Sequence, residues 1–121
     1  MADKEKLSWN LALLVPNGPV IAASDTLDLS GYEKHRVILA DAESGTASIG
    51  DAAGVAFVAL VPQTPHEDLT YKVGAGDIKL DRAQIFAGAG AVGLIAAAFP
   101  DFKFANDTGA EAVIDVFVAR A

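Results

Sequence analysis

The chain has 121 residues and no cysteine, with sixteen acidic against nine basic residues for a formal charge of −7. The absence of cysteine excludes disulfides, cysteine nucleophiles and thiolate metal sites, and the acidic balance argues against nucleic acid as a partner, because phosphate binding needs clustered Lys and Arg. Hydrophobic residues make up 52% of the chain and mean hydropathy is +0.34, much of it from alanine. A domain of this length has too little interior to hide that much apolar surface, which implies self-association or docking on another protein.

Residues 1–6, Met-Ala-Asp-Lys-Glu-Lys, read as a polar tail without the apolar core of a signal peptide, and residues 7–121 read as one domain. Leu7 to Val15 alternates, with Leu7, Trp9, Leu11 and Leu13 on one face, and Pro16-Asn17-Gly18-Pro19 breaks it. Trp9, the sole tryptophan, falls on the apolar face and reads as core rather than as a sugar-stacking platform. Val20 to Ala23 is a short apolar run, and Thr26 to Ser30 is a half-buried strand by its period of two. Further strands are expected at Val37 to Ala40 and, briefly, at Ala47 to Ile49. Val55 to Val61 is the most continuous β-branched and aromatic run and is expected to be a central strand buried on both faces. Leu69 to Val73 and Asp77 to Leu80 follow, parted by Gly74-Ala75-Gly76.

The C-terminal stretch from Val92 to Ala119 reads as two long strands joined at Asn106-Asp107-Thr108-Gly109, a cluster of turn formers. A symmetric turn would set Phe104 opposite Ala110 and Phe102 opposite Ala112. On the second strand Ala112, Ile114, Val116 and Val118 share one face, and Glu111, Val113, Asp115 and Phe117 the other. A solvent face rarely carries Val and Phe around a single acid, so Val113, Asp115 and Phe117 are candidate partner contacts. Strands at this spacing, with Gly, Pro, Asn or Asp between them, predict an all-β fold: an antiparallel β-sandwich, jelly-roll-like.

Few residues suggest chemistry. Gly88-Ala89-Gly90-Ala91-Val92-Gly93 matches the G-x-G-x-x-G dinucleotide fingerprint, but the motif should open a βαβ unit and Pro100 interrupts the few residues that remain. Ala83 to Phe99 carries no charge, yet its Ala/Gly composition and length are poor for a membrane span, and close packing of neighbouring chains suits it better. His35 and His66, the only histidines, lack metal-motif spacing and read as solvated, so no metal, cofactor or catalytic residue is expected. Pro65-His66-Glu67-Asp68 is polar and stiffened by proline, which makes His66 and Glu67 candidates for a contact loop. No G-x-S-x-G elbow is present, and the carboxylates mostly follow turns.

Short, cysteine-free, acidic, Ala/Gly/Val-rich chains of successive strands, ending in one like Ala112-Val113-Ile114-Asp115-Val116-Phe117-Val118, resemble the decoration (cement) proteins of tailed-bacteriophage capsids. The resemblance covers the whole chain and rests on composition and strand rhythm. It implies a non-enzymatic structural protein that sits on the virion surface, assembles in the host cytoplasm and bridges major capsid protein subunits as a homo-oligomer. Two other classes are consistent with the residues: a small ligand- or carbohydrate-binding β module of the tail or fibre type, and a nucleotide-binding enzyme built on Gly88 to Gly93.

Overall fold

A computed structural model describes residues 5–121. It contains ten strands: β1 (Glu5–Leu14), β2 (Val20–Leu29), β3 (Gly31–Leu39), β4 (Ser44–Ser48), β5 (Val55–Pro62), β6 (Leu69–Val73), β7 (Gly76–Lys79), β8 (Gln84–Ala87), β9 (Asp101–Asn106) and β10 (Ala112–Arg120). Between β8 and β9 lie a five-residue helix, α1 (Ala89–Gly93), and a 3₁₀ turn at Ala96–Ala98. The all-β expectation holds. Strands β3 to β10 build two four-stranded sheets, ordered β3-β10-β5-β8 and β4-β9-β6-β7, packed face to face; β1 and β2 form a separate two-stranded ribbon.

The pairing has a simple logic. Strands β6 and β7 form the innermost hairpin, with Val73 opposite Gly76 and Gly74 at a left-handed φ of 62°. Outside it, β5 pairs with β8, β4 with β9, and β3 with β10, all antiparallel. The eight strands are thus one long hairpin whose arms switch together from one sheet to the other. Additional pairs, β5 with β10 and β6 with β9, close each sheet after the hairpin has folded over.

Apolar alternation explains why the layers pack. Ile114, Val116 and Val118 on β10 are buried with Val58 and Leu60 on β5, and they face Phe102, Phe104, Leu69 and Tyr71 of the other sheet. Rings stack within that layer: Tyr71 and Phe102 lie 6.1 Å apart and nearly parallel, a favoured offset arrangement. Val92 of α1 and Ile95 after it fill one end of the core.

Several expectations need correction. Strands β9 and β10 are not a hairpin; they belong to different sheets, and Asn106 to Gly109 carries the chain across. Phe104 therefore lies opposite Gly45 and Phe102 opposite Ala47, both on β4. Each large ring does cover a small residue, but on a strand far upstream. The segment before Pro100 is not a strand: α1 and the 3₁₀ turn occupy it. The two short runs at Val20 and Thr26 form one continuous strand, because in a ribbon outside the core backbone pairing alone carries the strand through Ser24-Asp25. Glu5 and Lys6, assigned to the tail, belong to β1 and pair with Leu29 and Asp28; residues 1–4 of that tail lie outside the described residues. The central position of β5 is as expected, but its outer face is covered only over part of its length, since Phe57 is buried and Val61 is exposed.

Candidate functional site

The ribbon is the feature that points outward. Ten residue pairs join β1 to β2, from Glu5 with Leu29 to Leu14 with Val20, giving an arm roughly 30 Å long at ~3.4 Å per residue. Asn17, at φ 61°, turns the tip, where the Gly18 N–H donates to the Val15 carbonyl at 2.8 Å. Directly paired residues share a face. One face of the arm carries Leu7, Trp9, Leu11 and Leu13 with Leu27, Asp25, Ala23 and Ile21; the other carries Lys6 with Asp28, Ser8 with Thr26 and Asn10 with Ser24, and turns apolar toward the tip with Ala12 beside Ala22 and Leu14 beside Val20.

Only the base of the apolar face is covered. Leu7, Trp9 and Leu27 pack with Leu29, Phe57, Phe117 and Ala119 in a cluster separate from the main core. The Trp9 ring lies 6.3 Å from Phe57, Phe57 meets Phe117 edge-on at 6.2 Å, and Phe117 stacks on Tyr32 at 5.7 Å. Trp9 is therefore the arm's anchor, its Nε1 buried without a hydrogen-bond partner. Beyond Trp9 the same stripe continues with nothing over it. Leu11, Leu13 and Ile21 on that face are exposed, and at the tip so are Val15 and the opposite-face pair Leu14, 71% exposed, and Val20. An isolated two-stranded ribbon is marginal in water, so this arm is held at its base while its far half stays apolar and uncovered.

A second apolar feature lies where the two sheets part. Strands β7 and β8 end their respective sheets, and between them opens a cavity of about 450 Å³ lined by Val73, Ile78, Ile85, Phe86, Leu94 and Tyr71. Its rim is wet: Ile78 and Ile85 are exposed, and Leu94 is 76% exposed. Tyr71 lies at the floor. Its hydroxyl donates to Gln84 Oε1 at 2.6 Å, and Gln84 Nε2 donates to the Lys79 carbonyl at 2.7 Å, which ties β6, β7 and β8 together. Burial pushes the Tyr71 phenol up to about 12 from its usual 10. A raised phenol favours the folded state fully below pH 10, and that contribution is lost as pH climbs toward 12. Unfolding midpoints measured from pH 8 to 12 should fall in that upper window, and Tyr71→Phe should flatten the fall.

The residues singled out from the sequence do not form one surface. Phe117 packs against the chain's own arm and is half-buried there. Asp115 faces Arg36, with Arg36 Nε donating to Oδ1 at 2.9 Å and Nη2 to Oδ2 at 3.3 Å. That guanidinium holds the Asp115 carboxyl below its usual range. Val113 lies opposite Ile38, and its carbonyl accepts the Gln63 N–H at 2.8 Å, at the start of the loop that carries His66 and Glu67. In that loop His66 Nδ1 accepts the Asp68 N–H at 3.0 Å, so the ring is turned onto its own backbone, and Glu67 is exposed. His35 pairs with Glu33 at 3.0 Å. Among the described residues no three His, Asp or Glu side chains converge as metal ligands, and no helix is long and apolar enough to cross a membrane.

Gly88 to Gly93 sits between β8 and β9, which belong to different sheets, and every strand pair among the described residues is antiparallel. The parallel βαβ context that gives the dinucleotide motif its meaning is therefore not formed there. Sequence reasoning missed the arm, and it read Ala83 to Phe99 as a close-packing surface without the cavity that the segment helps to line. A signal existed for each: Leu7 to Ser24 and Ala83 to Pro100 are long stretches without a charge, in a chain otherwise dense with acids. Comparison with protein-family models, curated proteins and solved structures found no match.

Proposed function

We propose that the chain is a structural virion protein that decorates a phage capsid and stabilises it by bridging major capsid protein subunits. The observation that carries this reading is the arm: a ribbon anchored at its base through Trp9, whose uncovered apolar half packs against nothing in its own domain. Such a feature serves contact with another protein, and a bridging protein needs an element that reaches beyond its own footprint. The nested strand pairs, with four strands in each sheet, support the jelly-roll form of the sandwich. Compositional likeness to capsid decoration proteins supplies the partner, and a net charge of −7 turns the protein away from the packaged nucleic acid. On this reading the protein acts on the capsid surface after assembly in the host cytoplasm, without catalysis.

Sedimentation provides the test. Capsids of the encoding phage, prepared without this chain, should bind the purified protein in a fixed ratio to the major capsid protein and should then resist heat to a higher temperature. A protein that stays in the supernatant and leaves capsid melting unchanged would overturn the assignment.

A further inference from the structure

We propose that the arm tip of one copy seats in the apolar cavity between β7 and β8 of a second copy, so that chains join head to tail. The two features are each other's match in chemistry. The arm presents Leu13, Leu14, Val20 and Ile21, and the cavity rim presents Ile78, Ile85 and Leu94; all stand in solvent within one copy.

Charge selects this pairing. Copies that each carry −7 repel wherever charged surfaces meet. Three stretches of the chain are long and charge-free: Leu7–Ser24, Ala52–Pro65 and Ala83–Pro100. The second is mostly the central strand β5. The first is the arm, and the third supplies the β8 side and the Leu94 lip of the cavity. Contact between these two surfaces is where like-charged copies approach at least cost.

Burial supports it as well. Leu13, Leu14, Val20 and Ile21 at the tip and Ile78, Ile85 and Leu94 at the rim would all be withdrawn from water together, as the apolar centre of an interface requires. Backbone adds to this. As terminal strands, β7 and β8 each leave one edge unpaired, and a ribbon entering between them brings its own free edges within pairing distance. Because tip and cavity are different patches, the contact is heterologous, and repetition closes a ring or extends a chain.

The test uses the full-length protein without capsids, so its outcome is separate from that of the sedimentation assay. In light scattering, wild type should exceed monomer mass. Leu14→Asp and Leu94→Asp should each run as monomers with wild-type circular dichroism, since both positions are exposed. Mixed one to one, they should form a dimer, because one variant keeps its cavity and the other its tip. The absence of native cysteine allows a direct check. Leu14→Cys mixed with Leu94→Cys should give a disulfide-linked pair under mild oxidation at several-fold higher yield than either variant alone. A monomeric wild type, assembly that survives Leu14→Asp, or Leu14→Cys linking best to itself would each overturn the proposal.

Discussion

Val116→Asp should leave the chain unfolded, while Asp115→Val, one residue earlier, should fold as the wild type does. Val116 is 0% exposed and sits between His35 of β3 and Leu60 of β5, with its side chain in the core between the sheets. A carboxylate there would lie among apolar core side chains, and the one polar neighbour across the strand pair, His35, is already paired with Glu33; burying a charge so poorly matched costs several kcal/mol or forces protonation. A domain of this size has a total stability of only roughly 5–15 kcal/mol. Asp115 points the other way and pairs with Arg36 on the sheet's outer face. That guanidinium depresses the Asp115 pKa, so the pair stabilises the fold above the usual carboxylate range and stops doing so as pH falls through the depressed value. Asp115→Val should therefore remove a small acid-sensitive contribution and leave neutral stability nearly unchanged. It also joins Val113, Val61 and Ile38 into a larger apolar patch, so the variant should associate more readily. Denaturant melts at neutral and acid pH, with light scattering, check both. Equal destabilisation by the two substitutions would mean that this stretch of β10 is covered on both sides.

Why one face of β10 was legible and the other was not is a matter of what periodicity encodes. Alternation says which side chains share a face, and Ala112, Ile114, Val116 and Val118 are all buried. It also says that Val113 and Phe117 want cover. It cannot say who provides the cover, and for Phe117 the cover comes from a ribbon more than eighty residues upstream in the same chain. Neighbouring strands pose the same problem. Asn106 to Gly109 has the composition of a hairpin turn, and composition does not distinguish a turn within a sheet from a crossing between sheets. Small residues opposite Phe102 and Phe104 were the right expectation, but Ala47 and Gly45 satisfy it rather than Ala112 and Ala110. At Gly45 the reason is tight: an added Cβ would come within 2.5 Å of the Leu39 side chain. Leu7, Trp9, Leu11 and Leu13 carry the same alternation as a buried strand, so periodicity alone places Trp9 in a core. Only the absence of any facing layer beyond Trp9 separates a docking arm from an interior strand, and that is a tertiary fact.

Asn106→Asp should be the most damaging isosteric change in the molecule, and its damage should ease in acid. Asn106 is 1% exposed and is the buried polar residue at the point where the chain crosses between sheets. Its Nδ2 lies 3.2 Å from the Leu39 carbonyl, 3.1 Å from that of Ala40 and 2.8 Å from that of Ala110, so two hydrogens are shared among three acceptors. Its Oδ1 accepts the Thr108 N–H at 3.1 Å and the Thr108 hydroxyl at 2.7 Å. Backbone bonds complete the joint: the Ala42 N–H donates to the Asn106 carbonyl, and the Asn106 N–H to the Glu43 carbonyl. One side chain thus holds the β3–β4 and β9–β10 connections together, at the place where the long hairpin bends from one sheet to the other. Aspartate keeps the shape but removes both donors and turns a charged oxygen toward three carbonyls. Leaving buried partners unsatisfied costs roughly 1–3 kcal/mol each, and more for a charge. The variant should therefore lose most of the domain's stability at neutral pH. Its carboxyl, surrounded by acceptors, will have a raised pKa in the folded state, so stability returns as pH falls through that value and the protonated acid donates to one carbonyl again. Melting Asn106→Asp across pH 4 to 8 tests this, with Asn106→Ala as the reference that lacks the charge. Wild-type stability at neutral pH, or a loss that does not ease in acid, would show that the crossing is held by something other than this side chain.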